Sequence, residues 1–197
     1  MKDYPRIAKK ITAVLFLVQS LSSAGFIAVF TVNALVGVEL SGQPALAGLP
    51  ETVRVLGQAL AALAWGYTME RIGRRRGFTL GQVVGVAGSG IAGAAVIARS
   101  FPVFLVGLLL MGIARASADL GRFAAAEVHL PTERGRAISN VVLGGTVGSV
   151  VGPLLAGVMG KWSLGAGFPE LAGAYGVGFL VWGVAGILVF SGLRPDP

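Results

Sequence analysis

Residues 66–77 read GYTMERIGRRRG: four arginines and one glutamate, with a glycine at each end and another, Gly73, between them. The chain around this stretch is 54% hydrophobic and only 13% charged over its 197 residues, with a mean hydropathy of +0.78. Soluble domains carry roughly a quarter charged residues, so this composition points to a protein whose solvent is lipid. In such a chain a burst of arginine marks a turn in water, between two helices that lie in the bilayer. The 31 glycines have no three-residue period and sit inside apolar runs. That excludes collagen and suits membrane helices, where small residues let backbones approach.

Working outward from the turn, six apolar segments are each long enough to cross a hydrocarbon core that needs about 20 helical residues. They lie near residues 11–36, 52–69, 78–98, 101–124, 137–159 and 171–193. Backbone groups in lipid must be satisfied within the segment, so the expected fold class is all-α, one six-helix transmembrane domain over residues 1–197. The second segment, interrupted by Arg54 and Gln58, is the weakest and is expected to begin at the interface. The basic, then apolar start resembles a secretory signal peptide. Its apolar run continues through Val36, long enough to span, so the segment is expected to be retained.

The placement of lysine and arginine sets the orientation. With the N-terminus in the cytoplasm, Lys2, Arg6, Lys9, Lys10, Arg71, Arg74, Arg75, Arg76, Arg122, Arg134, Arg136 and Arg194 all fall inside. Only Arg54, Arg99 and Lys161 fall outside, beside Glu39, Glu51 and Glu170. Both termini are therefore expected in the cytoplasm of a multi-pass protein of the cell membrane. The net charge of +7 reads as a topology signal and an attraction to anionic lipid, with no nucleic-acid partner implied.

With that address, the opening stretch resembles the signature loop of the major facilitator superfamily, G-x-L-a-D-r-x-G-r-[KR], which joins helices two and three. Gly66, Arg71, Gly73, Arg74 and Arg75 match, Glu70 stands where aspartate is usual, and Tyr67-Thr68-Met69 departs from x-L-a. In the fifth segment GSVVGPLLAG, residues 148–157, resembles the family's helix-five antiporter motif, g-x-x-x-G-P-x-x-G-G. It supplies Gly148, Gly152, Pro153 and Gly157, with Ala156 in place of one glycine. The loop before it, PTERGRA, residues 131–137, resembles the family's p-p-e-x-R-G-r-A. The resemblance covers the whole chain, but the chain covers half of the family's twelve helices.

The residues of the signature loop have two readings. Arginines that snorkel to headgroups and a glycine free to take φ > 0 make a topology anchor and a tight turn. The resemblance implies more: Glu70 and Arg74 form a cytoplasmic gate latch with an acid at the end of helix four, for which Glu127 is the matching position. Gly144, Gly148 and Gly152 recur every four residues, a stripe for close packing, and Pro153 removes one backbone hydrogen bond. The antiporter motif adds a gating role to that stripe. Gly77, Gly81 and Gly85 read as packing alone.

The fourth segment carries Arg115, Asp119 and Arg122, whose spacings of four and three place them on one helical face. Charge within the membrane faces a cavity or a partner, so either a structural Arg115–Asp119 pair or a substrate or proton role follows. The family's helix-four arginine linked with proton coupling falls by count near Gly107, so that role does not transfer to Arg115. Gln19 and Asn33 of the first segment are the other polar groups expected to reach a cavity. Asp119 is then the one deep carboxylate able to titrate.

The absence of cysteine excludes disulfides, thiolate metal sites and thiol nucleophiles, and a single histidine, His129, argues against a metal centre. A rhomboid-like protease needs G-x-S-x-G and a membrane histidine, neither of which is present, so no enzyme, cofactor or metal is expected. The resemblance implies a half-size transporter working by alternating access, and an apolar, glycine-rich pathway suits a small hydrophobic or amphipathic solute. Six helices cannot enclose a cavity that lies between two halves, so a second six-helix half is expected as partner, in a homodimer or a heterodimer. A non-transporting fragment or assembly subunit is the competing expectation.

Overall fold

The computed structural model describes residues 4–194, with side chains from Ile7 onward, and Lys2 lies outside the described residues. All its elements are helical: α1 (Tyr4–Ser41), a short 3-10 turn (Pro44–Leu46), α2 (Leu49–Ile72), α3 (Arg74–Ile97), α4 (Phe101–Asp119), α5 (Gly121–Glu127), α6 (Arg134–Gly165) and α7 (Ala172–Gly192). Five stretches are long and apolar enough to cross a membrane: residues 7–41, α3, α4 together with α5, α6 and α7. At 24 residues α2 is about 36 Å long, enough for a crossing by length. It falls behind the others in composition because Glu51, Arg54, Gln58, Glu70 and Arg71 all lie on it.

The helices overrun the expected segments. α1 has 38 residues and α6 has 32, because polar flanks on both sides continue the helical hydrogen bonding. The fourth segment is stepped instead. Leu120 N–H bonds Ser117 O at 3.1 Å and Phe123 N–H bonds Leu120 O at 3.0 Å. This i→i+3 tightening separates α4 from α5. Short 3-10 steps inside helices often mark functional positions, and this one falls between Asp119 and Arg122.

Between α2 and α3 the chain turns on a single residue. Gly73 has φ 89° and ψ 153°, a region open essentially to glycine alone, where another residue costs about 1–3 kcal/mol. Its N–H caps α2 by bonding Met69 O at 3.1 Å, and its own carbonyl receives the N–H of Gly77 at 3.1 Å to start α3.

α1 is central, touching α2, α4, α5, α6 and α7. The main pairs are α1 with α6, α2 with α4, α3 with α4, α1 with α7, and α3 with α7. Exchanging α1, α2 and α3 for α4–α5, α6 and α7 maps this set onto itself. The bundle is thus two three-helix units packed as counterparts. Two apolar clusters fill it, one around Ile11, Leu15, Trp65, Phe78 and Val189, the other around Val36, Phe104, Leu108, Tyr175 and Trp182.

Glycine makes the closest pairs possible. A Cβ on Gly144 would lie 2.6 Å from Phe16 O, one on Gly148 would overlap Ser20 O, and one on Gly152 would lie 2.6 Å from Ala24 O. Three glycines four residues apart on α6 therefore meet three carbonyls four residues apart on α1. The counterpart pair is built alike, with Gly57 of α2 against Leu109 O and Gly112 of α4 against Arg54 O. Gly157, by contrast, has nothing within 4 Å. Gly148→Leu should therefore lower stability by roughly 1–3 kcal/mol or more, as overpacking does, while Gly157→Leu leaves it near the parent value. Unfolding in a denaturing detergent titration checks the contrast, and equal stability of the two variants would refute this packing.

Candidate functional site

Arg115 points from α4 to α1 and stays within reach of its own helix. Its Nε lies 3.1 Å from Asp119 Oδ1, and its Nη1 donates to Ser23 Oγ at 3.1 Å. The i,i+4 spacing expected from the sequence closes into an ion pair whose side chains are 17% and 30% exposed. The second oxygen of Asp119, Oδ2, accepts from Gln58 Nε2 of α2 at 3.0 Å. Gln58 Oε1 in turn accepts from Arg54 Nη1 at 3.1 Å. Arg54 also grips Glu51, donating from Nε to both carboxylate oxygens at 3.0 Å. Asn33 of α1 donates to Glu51 Oε2 at 3.4 Å and accepts from the Tyr175 hydroxyl of α7 at 3.0 Å.

The result is one continuous chain, Ser23–Arg115–Asp119–Gln58–Arg54–Glu51–Asn33–Tyr175, that ties four helices together. It contains two carboxylates and two guanidinium groups, so it is electrically balanced. Phe26 of α1 is shared by the two arginines, with Arg54 4.3 Å and Arg115 4.9 Å from the ring centroid. Contacts of a cation with an aromatic face strengthen when water is excluded.

Arg54, counted in the sequence among the charges on the outer side, is 5% exposed, inside the bundle. The signal was in the sequence as Glu51, Arg54 and Gln58, spaced three and four apart on one face of α2. Such a face stabilises its charges through its own helix, which is how an arginine enters an apolar bundle. Asp119 is consequently joined by a second carboxylate, Glu51, on the same network.

Beside this chain, α1, α4, α5 and α6 enclose a cleft of about 350 Å³, whose walls include Gln19, Ser23, Arg115, Asp119, Arg122, Thr146 and Ser149. Gln19 stands in its wall; Asn33 does not, being 2% exposed and held by Glu51 and Tyr175. A larger groove of about 630 Å³ between α3, α6 and α7 is walled by Trp162, Phe168 and Phe179 and contains no charged side chain. No group of three or more metal-binding side chains occurs among the described residues.

The signature loop sits at one end of the bundle. Arg74 clasps Glu127 of α5, with Nε to Oε2 at 3.1 Å and Nη2 to Oε1 at 2.5 Å, in a pair 20% and 46% exposed. Arg75 Nε donates to Phe190 O of α7 at 2.9 Å, and Arg71 stacks on Tyr67 of its own helix at 4.3 Å. Glu70 is exposed and in no ion pair among the described residues. On α6 the proposed motif divides between two faces: Gly148 and Gly152 are buried against α1, and Pro153 and Gly157 are exposed.

An all-helical membrane protein in which two three-helix units pack as counterparts around a charged network has the architecture of one half of a major facilitator transporter. The family model described as Major Facilitator Superfamily matches residues 15–197, and the chain belongs to that superfamily. It is 36% identical to the uncharacterized MFS-type transporter YdeG of Bacillus subtilis over 96% of this chain and 44% of that protein. Similarity to the riboflavin transporter RfnT of Brucella anthropi reaches 37% identity over 75% of this chain and 37% of that protein. The fold superposes on the human organic anion transporter MFSD10 with a TM-score of 0.71 at 20% identity, covering 96% of this chain and 48% of that structure. The chain thus spans less than half the length of the relatives it matches.

Breaking a buried ion pair from one side costs about 3–5 kcal/mol, and solvent reaching Asp119 at 30% exposure lowers that expectation. Arg115→Gln should accordingly destabilise by roughly 1–3 kcal/mol, and adding Asp119→Asn to it should recover part of the loss. A double-mutant cycle on detergent unfolding measures this. Strictly additive losses would mean that the two side chains do not interact.

Proposed function

We propose that this chain forms the first six-helix half of a secondary active transporter, with α2 crossing the membrane alongside the five more apolar spans. Completed by a second six-helix unit of the same family, it moves a small hydrophobic or amphipathic solute by alternating access. The second unit is another copy, a different chain or further sequence of the same polypeptide. The observation that carries the reading is the charged cleft between α1, α4, α5 and α6, in a chain matching under half of its relatives' length. Families of this kind place the solute between two halves near the bilayer midplane, and a cleft on one half is half of such a site. The alternative, a non-transporting fragment or assembly subunit, draws on the same length ratio.

In this reading both termini lie in the cytoplasm of the cell membrane, and the basic loops attract anionic lipid. The Gly73 turn is then a gate: Arg74 and Glu127 form its fixed side, and exposed Glu70 waits for a group of the other half. The exposed face of α6 bearing Pro153 and Gly157 is available to that half, while Gly148 and Gly152 hold α6 to α1.

Solute flux into proteoliposomes, measured beside cross-linking that counts the six-helix units, tests the proposal. A single unit without transport would overturn it in favour of the fragment. Within an active assembly, Arg74→Ala, Glu127→Gln and Glu70→Ala should each slow transport or shift the inward–outward balance. Their stability should change by under about 1 kcal/mol, because exposed ion pairs contribute little. Unchanged transport in all three would reduce the loop to a topology anchor.

A further inference from the structure

The charges around the cleft do not cancel. Asp119 is its one carboxylate, and both of its oxygens are already engaged, Oδ1 in the ion pair with Arg115 and Oδ2 accepting from Gln58. Two guanidinium groups face it, those of Arg115 and Arg122. Arg122 lies 4.9 Å from the ring of its neighbour Phe123 and has no acidic partner among the described residues. Two cations against one carboxylate leave the lining one positive charge in excess, with Glu51 and Arg54 balancing each other behind it. Arg115 is also fixed in place: Asp119 pairs with it 3.1 Å from its Nε, Ser23 accepts from its Nη1, and Phe26 lies against its face. Its Nη2 has no hydrogen bond among the described residues. A guanidinium pre-oriented in this way recognises planar or tetrahedral oxyanions through paired hydrogen bonds.

We infer that the cleft accepts an anionic group, a carboxylate or a phosphate, with Arg122 as the neutralising charge and Arg115 as the oriented donor. This narrows the solute class and rests on the reading of the cleft as a solute site. The remaining walls suit the rest of such a molecule: Gln19, Thr146 and Ser149 offer neutral polar contacts, and Val141 and Val142 an apolar side. The 3-10 step at Leu120 separates the two arginines, so that Arg115 sits on α4 and Arg122 on α5. A bound anion would bridge that step.

The test uses three probes of one skeleton, 1-naphthoate, 1-naphthamide and 1-naphthylmethylamine, whose binding to the purified protein in lipid nanodiscs is measured by equilibrium dialysis. The expected result is naphthoate bound about tenfold more tightly than naphthamide, a factor equivalent to about 1.4 kcal/mol, with the amine weakest. Arg122→Gln should remove that preference while leaving naphthamide affinity unchanged, and Arg122→Lys should keep much of it. Arg122 has no structural partner to orphan, so its variants remain informative if Arg115→Gln does not fold.

Nanodiscs with and without phosphatidylglycerol separate the sources of the anion. If a lipid headgroup is the occupant, phosphatidylglycerol displaces naphthoate and is retained by the parent but not by Arg122→Gln. Equal binding of the three probes, or equal loss of naphthoate and naphthamide in Arg122→Gln, would overturn the anion preference and leave the solute site standing. No binding of any probe to folded protein would remove the solute site and this inference with it.

Discussion

An arginine cannot lie in an apolar bundle unless its charge and its five donors are met there. Arg54 meets that constraint through Glu51 one turn before it, Gln58 one turn after it and the ring of Phe26 on the adjacent helix. Each of those partners is tied in turn: Glu51 to Asn33, Gln58 to Asp119, and Asp119 to Arg115. The bundle's interior geometry follows from this chain of obligations. It sets the register of α2 against α4, since Gln58 and Asp119 must meet. It also fixes α1 against both, since Asn33, Phe26 and Ser23 stand at three levels of one helix face.

The glycine contacts are the apolar complement of the same constraint. Short polar side chains can bridge α1, α2 and α4 only if the backbones come close, and the glycines opposite carbonyls on both counterpart pairs allow it. Packing and polar satisfaction therefore support each other: widening the α2–α4 gap at Gly57 or Gly112 would also pull Gln58 away from Asp119. In lipid, where burial between helices gains little from the hydrophobic effect, such short-range contacts supply much of the association.

Much of this was legible in the sequence, for reasons that differ by feature. The all-helical class and the Gly73 turn follow from composition and from a glycine flanked by arginines. The α6 stripe follows from its four-residue period, and the Arg115–Asp119 pair from spacing on one helix. What the sequence hid is long-range. Gln58 and Asp119 are 61 positions apart, and nothing in either segment announces the other. The burial of Arg54 was not foreseen because counting charges for orientation treats every arginine as exposed to water, whereas its partners Glu51 and Gln58 lie on its own helix. Asn33 was assigned to a cavity by polarity alone, whereas its amide is consumed by Glu51 and Tyr175.

The correspondence between the two three-helix units has a consequence for how their sequences can vary. In the proposed six-crossing topology each unit crosses three times, an odd number, so the second unit enters the bilayer upside down relative to the first. Equivalent connections then emerge on opposite sides of the membrane, where selection on basic residues runs in opposite directions. The loop from α2 to α3 is crowded with arginine, and its counterpart from α6 to α7, residues 166–171, carries no basic residue and a single acid, Glu170. The buried faces of the two units keep their likeness while their loops diverge in charge. A resemblance that survives in the helix contacts is thereby erased from the segments where a comparison of the two halves would first look for it.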